Sequence, residues 1–141
     1  MIDEIRSYFK GVIKSVDSDL RYDDRVGDEE KIGLSALNRT YKFYFGAMEP
    51  SIVDGTIQSL VPVTAIIYKK LGVDEPTDYD KAYCKAIHIH ALAQEKSNYD
   101  QTGFIKNVEC TSITPEPIDD DDKTYRFTLQ FNVTIAYRYS E

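Results

Sequence analysis

In the last stretch of the chain Tyr125, Phe127, Leu129, Phe131, Val133, Ile135, Tyr137 and Tyr139 take the odd positions. The even positions between them are polar or charged except Ala136. A period of two belongs to a strand with one face in a core and the other in water, so the pattern predicts a strand over Tyr125–Tyr139. At about 3.3 Å per residue such a run reaches roughly 50 Å, against the ~17–20 Å of an ordinary strand. Part of it is therefore expected to overhang its own domain. The start of the chain has the other period: Ile2, Ile5, Phe9, Val12, Ile13 and Val16 recur at three- and four-residue steps, with Asp3, Arg6, Lys10 and Lys14 on other faces. This predicts an amphipathic first helix over Ile2–Val16.

Between these ends the pattern changes several times. Asp17 to Lys31 is rich in Asp, Glu and Arg and reads as a solvated loop or mobile excursion. Tyr41, Phe43 and Phe45 alternate with Lys42 and Tyr44 until Gly46, a short strand. Pro50 and the pair Asp54-Gly55 mark a turn or loop. A second strand follows over Gln58–Lys70, apolar on both sides and so expected to be buried on two faces, with Pro62 implying an edge or a bulge. Thr77, with Asp80 three residues on, reads as the cap of a second helix running to about Lys96. Its stripe would be Tyr79, Tyr83, Ala86, Ile87, His90 and Ala93. Beyond Gly103 a strand returns, with Phe104, Val108 and Cys110 in one phase. Pro115 and Pro117 then predict an unpaired hairpin loop, Pro115 to Lys123, with Asp119, Asp120, Asp121 and Asp122 at its tip. The order helix, strand, strand, helix, strand, strand predicts an α+β fold: a four-stranded, mainly antiparallel sheet, two helices on one face, and a long C-terminal β-hairpin.

The totals narrow the classes. At 141 residues, 42% hydrophobic and 29% charged, the chain reads as one folded domain. The N-terminus lacks the basic start and apolar block of a signal peptide, and no run approaches the ~20 apolar residues of a membrane span, so the chain reads as cytosolic at synthesis. Cys84 and Cys110 are expected to be buried free thiols. A net charge of −7 argues against adhesion to a nucleic-acid backbone; a mildly acidic surface is first of all what keeps many domains soluble, and an acidic lining would also let DNA slide past.

Candidate chemistry is sparse. His88 and His90 on a helix lie about 200° apart around its axis and cannot converge on one metal. Four consecutive aspartates lack the alternating ligands of a calcium loop. No nucleophile elbow, zinc-protease motif or phosphate loop is present, so neither an enzyme nor a cofactor is expected. Tyr137 and Tyr139 sit at the overhanging end of the last strand. With Arg126 and Arg138 they are the candidate subunit or partner contacts.

The helix Ile2 to Val16, the strand Asn38-Arg39-Thr40-Tyr41-Lys42-Phe43-Tyr44-Phe45-Gly46, the strand ending Ala65-Ile66-Ile67-Tyr68-Lys69-Lys70-Leu71-Gly72, the helix from Thr77 and the closing pair together resemble the tail terminator (tail completion) proteins of tailed bacteriophages, minor tail protein U-like. The resemblance follows the chain in order and length. It implies a virion protein of the neck: a homo-oligomer, usually a hexameric ring, that caps the tail tube protein, ends tube polymerisation and meets the head connector. Genomic DNA would pass through its lumen without specific binding, and no membrane is involved. The Asp119–Asp122 run would order on assembly. The alternatives are another neck or tail-tube subunit, or a free-standing ligand-binding α+β module.

Overall fold

A computed structural model describes residues 2–23, 37–72, 75–119 and 123–138. Helix α1 (Ile2–Val16) forms as its periodicity predicts, turning Ile5, Phe9, Val12 and Ile13 inward. Asp3 and Glu4 in its first turn and Lys14 in its last complement the helix dipole. The strands are β1 (Arg21–Tyr22), β2 (Thr40–Phe45), β3 (Ser51–Val53), β4 (Thr56–Lys70), β5 (Ile105–Asp119) and β6 (Thr124–Arg138). Between β4 and β5 come α2 (Glu75–Ala93), the short α3 (Lys96–Tyr99) and a 3-10 turn, Asp100–Thr102. The fold is α+β, and its sheet has six strands where four were expected.

The sheet order is β1-β2-β4-β6-β5, with β3 also on β4; β1 and β2 run parallel and the other pairs antiparallel. One face carries the helices. Phe9 packs between Phe43 and Phe131, with ring centroids 5.9 and 4.9 Å away. Tyr79 and Tyr83 of α2 meet Phe127. Tyr8 pins the middle of α1 to the last residue of α2 by donating its hydroxyl to the Ala93 carbonyl at 2.6 Å. Burial, helped by Tyr99 and Glu95, pushes that phenol up to about 12, so it stays a donor across the working range.

Several expectations are corrected. Asp17 is not part of a solvated loop: it is buried, and β1 follows it; residues 24–36 of that stretch lie outside the described residues. Helix α2 starts at Glu75, which puts Thr77 inside its first turn rather than at its cap, and it ends at Ala93. Its inward residues are Ala82, Ala86, Ile89 and Ala93, while Ile87 is 45% exposed. Cys84 is exposed and Cys110 half-buried, both as free thiols. In β5 the register shifts between Ile105 and Asn107, so that Ile105 and Val108 both reach the core and Phe104 lies out of phase.

The prolines of β5 do not end its pairing. Pro115 sits opposite Phe127 and Pro117 opposite Tyr125. Because β5 is the last strand of the sheet, residues two apart turn their missing N–H groups to the same side, the open edge, where no ladder bond is lost. The hairpin tip is thereby reduced to the few residues between Asp119 and Thr124. Pro62 lies on an interior strand, yet the same logic holds. Its carbonyl accepts from Gly46 N–H at 2.8 Å, on the side where pairing passes from β2 to β3, so its absent N–H faces that gap rather than β6. Burial on two faces is found only at one end of β4, where Tyr68 packs with Leu37; Leu60, on the same outer face, is 48% exposed.

Gly46 makes that strand switch possible. A Cβ there would stand 2.9 Å from the Pro62 Cβ, which neither backbone nor ring can yield cheaply. Gly46→Ala is expected to lower stability by about 1–3 kcal/mol, measured as the urea midpoint at unchanged m-value. An unchanged midpoint would mean that the two segments do not touch.

Candidate assembly surface

The last strand is long, but its backbone partners are in its own chain. β6 pairs with β4 from Thr124↔Lys70 to Arg138↔Thr56, and β5 flanks it from Asp119↔Thr124 to Ile105↔Ile135. Strand length alone therefore gives no argument for an outside partner. The helix layer does. The 15 residues of β4 span about 50 Å, whereas α1 with 15 and α2 with 19 span only about 22 and 28 Å. One end of the sheet outruns the helices.

That end is a tongue made of β3, the start of β4 and the end of β6. Ser51 pairs with Gln58, Ile52 with Ile57 and Val53 with Thr56 across a two-residue turn, Asp54-Gly55. Both turn residues have positive φ, 50° and 76°, the conformation a tight hairpin demands and the Asp-Gly pair supplies. Ile52 and Ile57 lie on the helix side of the sheet with Tyr137; Val53 and Leu60 lie on the other. Ile52 is 65% exposed and Val53 53% exposed. Apolar groups this bare, on a projection with two open faces, mark a contact surface.

The opposite end of the sheet holds a groove of about 660 Å³, which draws Arg39, Lys69, Lys70, Lys81 and Lys85 to one place. Asp78 and Asp80 also line it; Asp78 accepts the Gly72 N–H at 2.8 Å and fixes the chain before α2. Behind the groove, Asp17 Oδ2 accepts from Lys69 Nζ at 2.8 Å and lies 3.2 Å from Lys85 Nζ. The void beside this carboxylate is about 10 Å³, at the limit for one water and too small for a substrate.

The candidate contact residues fall at both ends rather than in one patch. Arg126 lies beside the groove end on the outer face, its guanidinium paired with the Glu116 carboxylate across the β5–β6 ladder. Tyr137, half-buried, and Arg138, exposed, lie on the tongue. Tyr139 and Asp120–Asp122 lie outside the described residues, and Asp119 ends β5. His88 is exposed, and His90 takes a bond from Gln94, whose Oε1 caps the Cys110 N–H at 2.9 Å. Among the described residues no His, Cys, Asp and Glu group has the form of a metal site, and no helix is long and apolar enough to cross a membrane. Sequence reasoning missed β3, although an Asp-Gly pair between Ile52-Val53 and Ile57 is the hairpin signal. It missed the groove because its cations come from three separate segments. Compared with protein-family models and with curated proteins, the chain matches none.

Proposed function

We propose that the chain is a structural subunit of a tailed-phage neck: a ring, hexameric in the reading favoured, that caps the tail tube, ends its polymerisation and joins tail to head connector. The observation that supports this is the tongue, an ordered β-projection with Ile52, Val53 and Leu60 bare to solvent beyond the helix layer. A lone globule gains nothing from such a surface. A subunit that closes a ring with a neighbour, or seats on a tube, buries it. The net charge of −7 supports passage of DNA through the lumen without adhesion.

The test is mass in solution with and without tail-tube subunits, followed by negative-stain imaging. Annular particles of about six times 16.2 kDa are expected, alone or on adding tube protein. Ile52→Asp with Val53→Asp should raise the concentration needed for assembly at least about tenfold, the equivalent of roughly 1.4 kcal/mol per contact. The monomer's urea midpoint should stay nearly unchanged, because surface substitutions away from packed groups shift stability by only about 0.5 kcal/mol. The groove favours the rival reading of a ligand-binding module. A chain that stays monomeric under all these conditions and is thermally stabilised by a small molecule would replace the ring with that reading.

A further inference from the structure

We propose that the tongue of one copy seats in the basic groove of the next, so that each ring contact is head-to-tail and uses two different surfaces of the same chain. This rests on the ring reading and names the surfaces that would close it.

The charges are complementary. Between Ala47 and Leu60 the only charged residues are Glu49 and Asp54, both exposed, beside the bare Ile52 and Val53. The groove gathers five cations, of which Lys69 and Lys85 also hold Asp17 behind it, against the carboxylates of Asp78, Asp80 and Asp17, with the largely buried Leu71 and Ala82 between them. In a chain of net charge −7 this local excess of positive charge is the surface on which an acidic, apolar-tipped hairpin fits best. Arg138, paired opposite Thr56 beside the Asp54-Gly55 turn, places one cation on the outer face of the tongue.

The two surfaces cannot meet within one chain. Thr56 begins β4 at the tongue and Lys70 ends it at the groove, about 45 Å apart along a continuous strand paired on β6 throughout. Only a second copy brings them together. Complementary patches at opposite ends of a subunit make a heterologous contact, which closes into a ring where the rotation allows.

The groove contains its own reporter, the exposed thiol of Cys84. Cys110 is half-buried and its thiol is pushed up by burial, which makes it the poor competitor. Val53→Cys in the full chain, oxidised with diamide, should give a covalent ladder of multimers on a non-reducing gel, and adding Cys84→Ser should abolish it. Asp54→Lys with Glu49→Lys should raise the half-assembly concentration at least about tenfold, and Lys81→Glu in the same chain should restore it, a rescue that unfolding would not show. Assembled particles without a Cys84-dependent ladder would overturn this contact and leave the ring reading standing. Cross-links from V53C to a tube subunit instead of Cys84 would overturn it equally. Monomers alone, at every concentration and with tube subunits present, would overturn the ring reading itself.

Discussion

Phe9→Ala should cost about 3–5 kcal/mol, a large share of the ~5–15 kcal/mol that holds a domain folded. Phe9 is fully buried and is the side chain through which α1 grips the sheet, with Phe43 of β2 and Phe131 of β6 on either side. Truncation removes the apolar area and leaves a cavity that a six-stranded sheet cannot collapse to fill. The measurement is the urea midpoint, read by far-UV circular dichroism. Phe9→Leu and Phe131→Leu, singly and together, should show a coupling of about 0.5–1.5 kcal/mol from the ring pair. A loss below about 1 kcal/mol for Phe9→Ala would mean that α1 is not docked on this face.

Asp17→Asn is the second large effect. Asp17 closes α1, its N–H bonding the Ile13 carbonyl at 2.8 Å, and its side chain is 3% exposed while it holds Lys69 and Lys85. Breaking a fully buried pair costs about 3–5 kcal/mol, but these lysines are 24% and 44% exposed and water takes up part of their charge; about 1–3 kcal/mol is expected. The pH dependence has a definite sign. Burial pushes the Asp17 carboxyl up, and the hydrogen bonds and charges of Lys69 and Lys85 outweigh it, leaving the group below its ordinary 3.8. A depressed folded value gives stability that is fully present above the unfolded pKa and lost as pH falls through the folded one. The gap between wild type and Asp17→Asn should therefore be widest near neutrality and narrow below about pH 4. A gap that stayed constant from pH 7 to pH 3 would remove the carboxylate from the explanation.

Much of this fold was legible because burial leaves a period behind. α1 and β6 are one-faced elements with long, regular stripes, and both form where the alternation of Phe127, Leu129, Phe131, Val133 and Ile135 or the steps of Ile5, Phe9, Val12 and Ile13 place them. The losses have physical causes. A bulge after Ile105 reverses the phase of β5, which no fixed period can follow. Pro115 and Pro117 break a central strand but not an edge, and edge position is a property of the sheet rather than of the segment. In α2 the alternation Ile87-His88-Ile89-His90 gives two equal candidates for the core, and only packing against Ile67 and Phe127 selects Ile89. The tongue was half visible in Asp54-Gly55. The groove was invisible, since Arg39, Lys69-Lys70 and Lys81-Lys85 become neighbours only when β2, β4 and α2 meet.

The prolines of β5 have one more effect. With two N–H groups removed by Pro115 and Pro117 and a third, that of Cys110, taken by the Gln94 side chain, this margin of the sheet offers a poor template to any extended chain that drifts against it. The other margin carries β1, two residues long, and β3, three residues long and ending in a tight turn. Edge-to-edge growth of the sheet into fibrils is thereby discouraged from one side by chemistry and from the other by brevity.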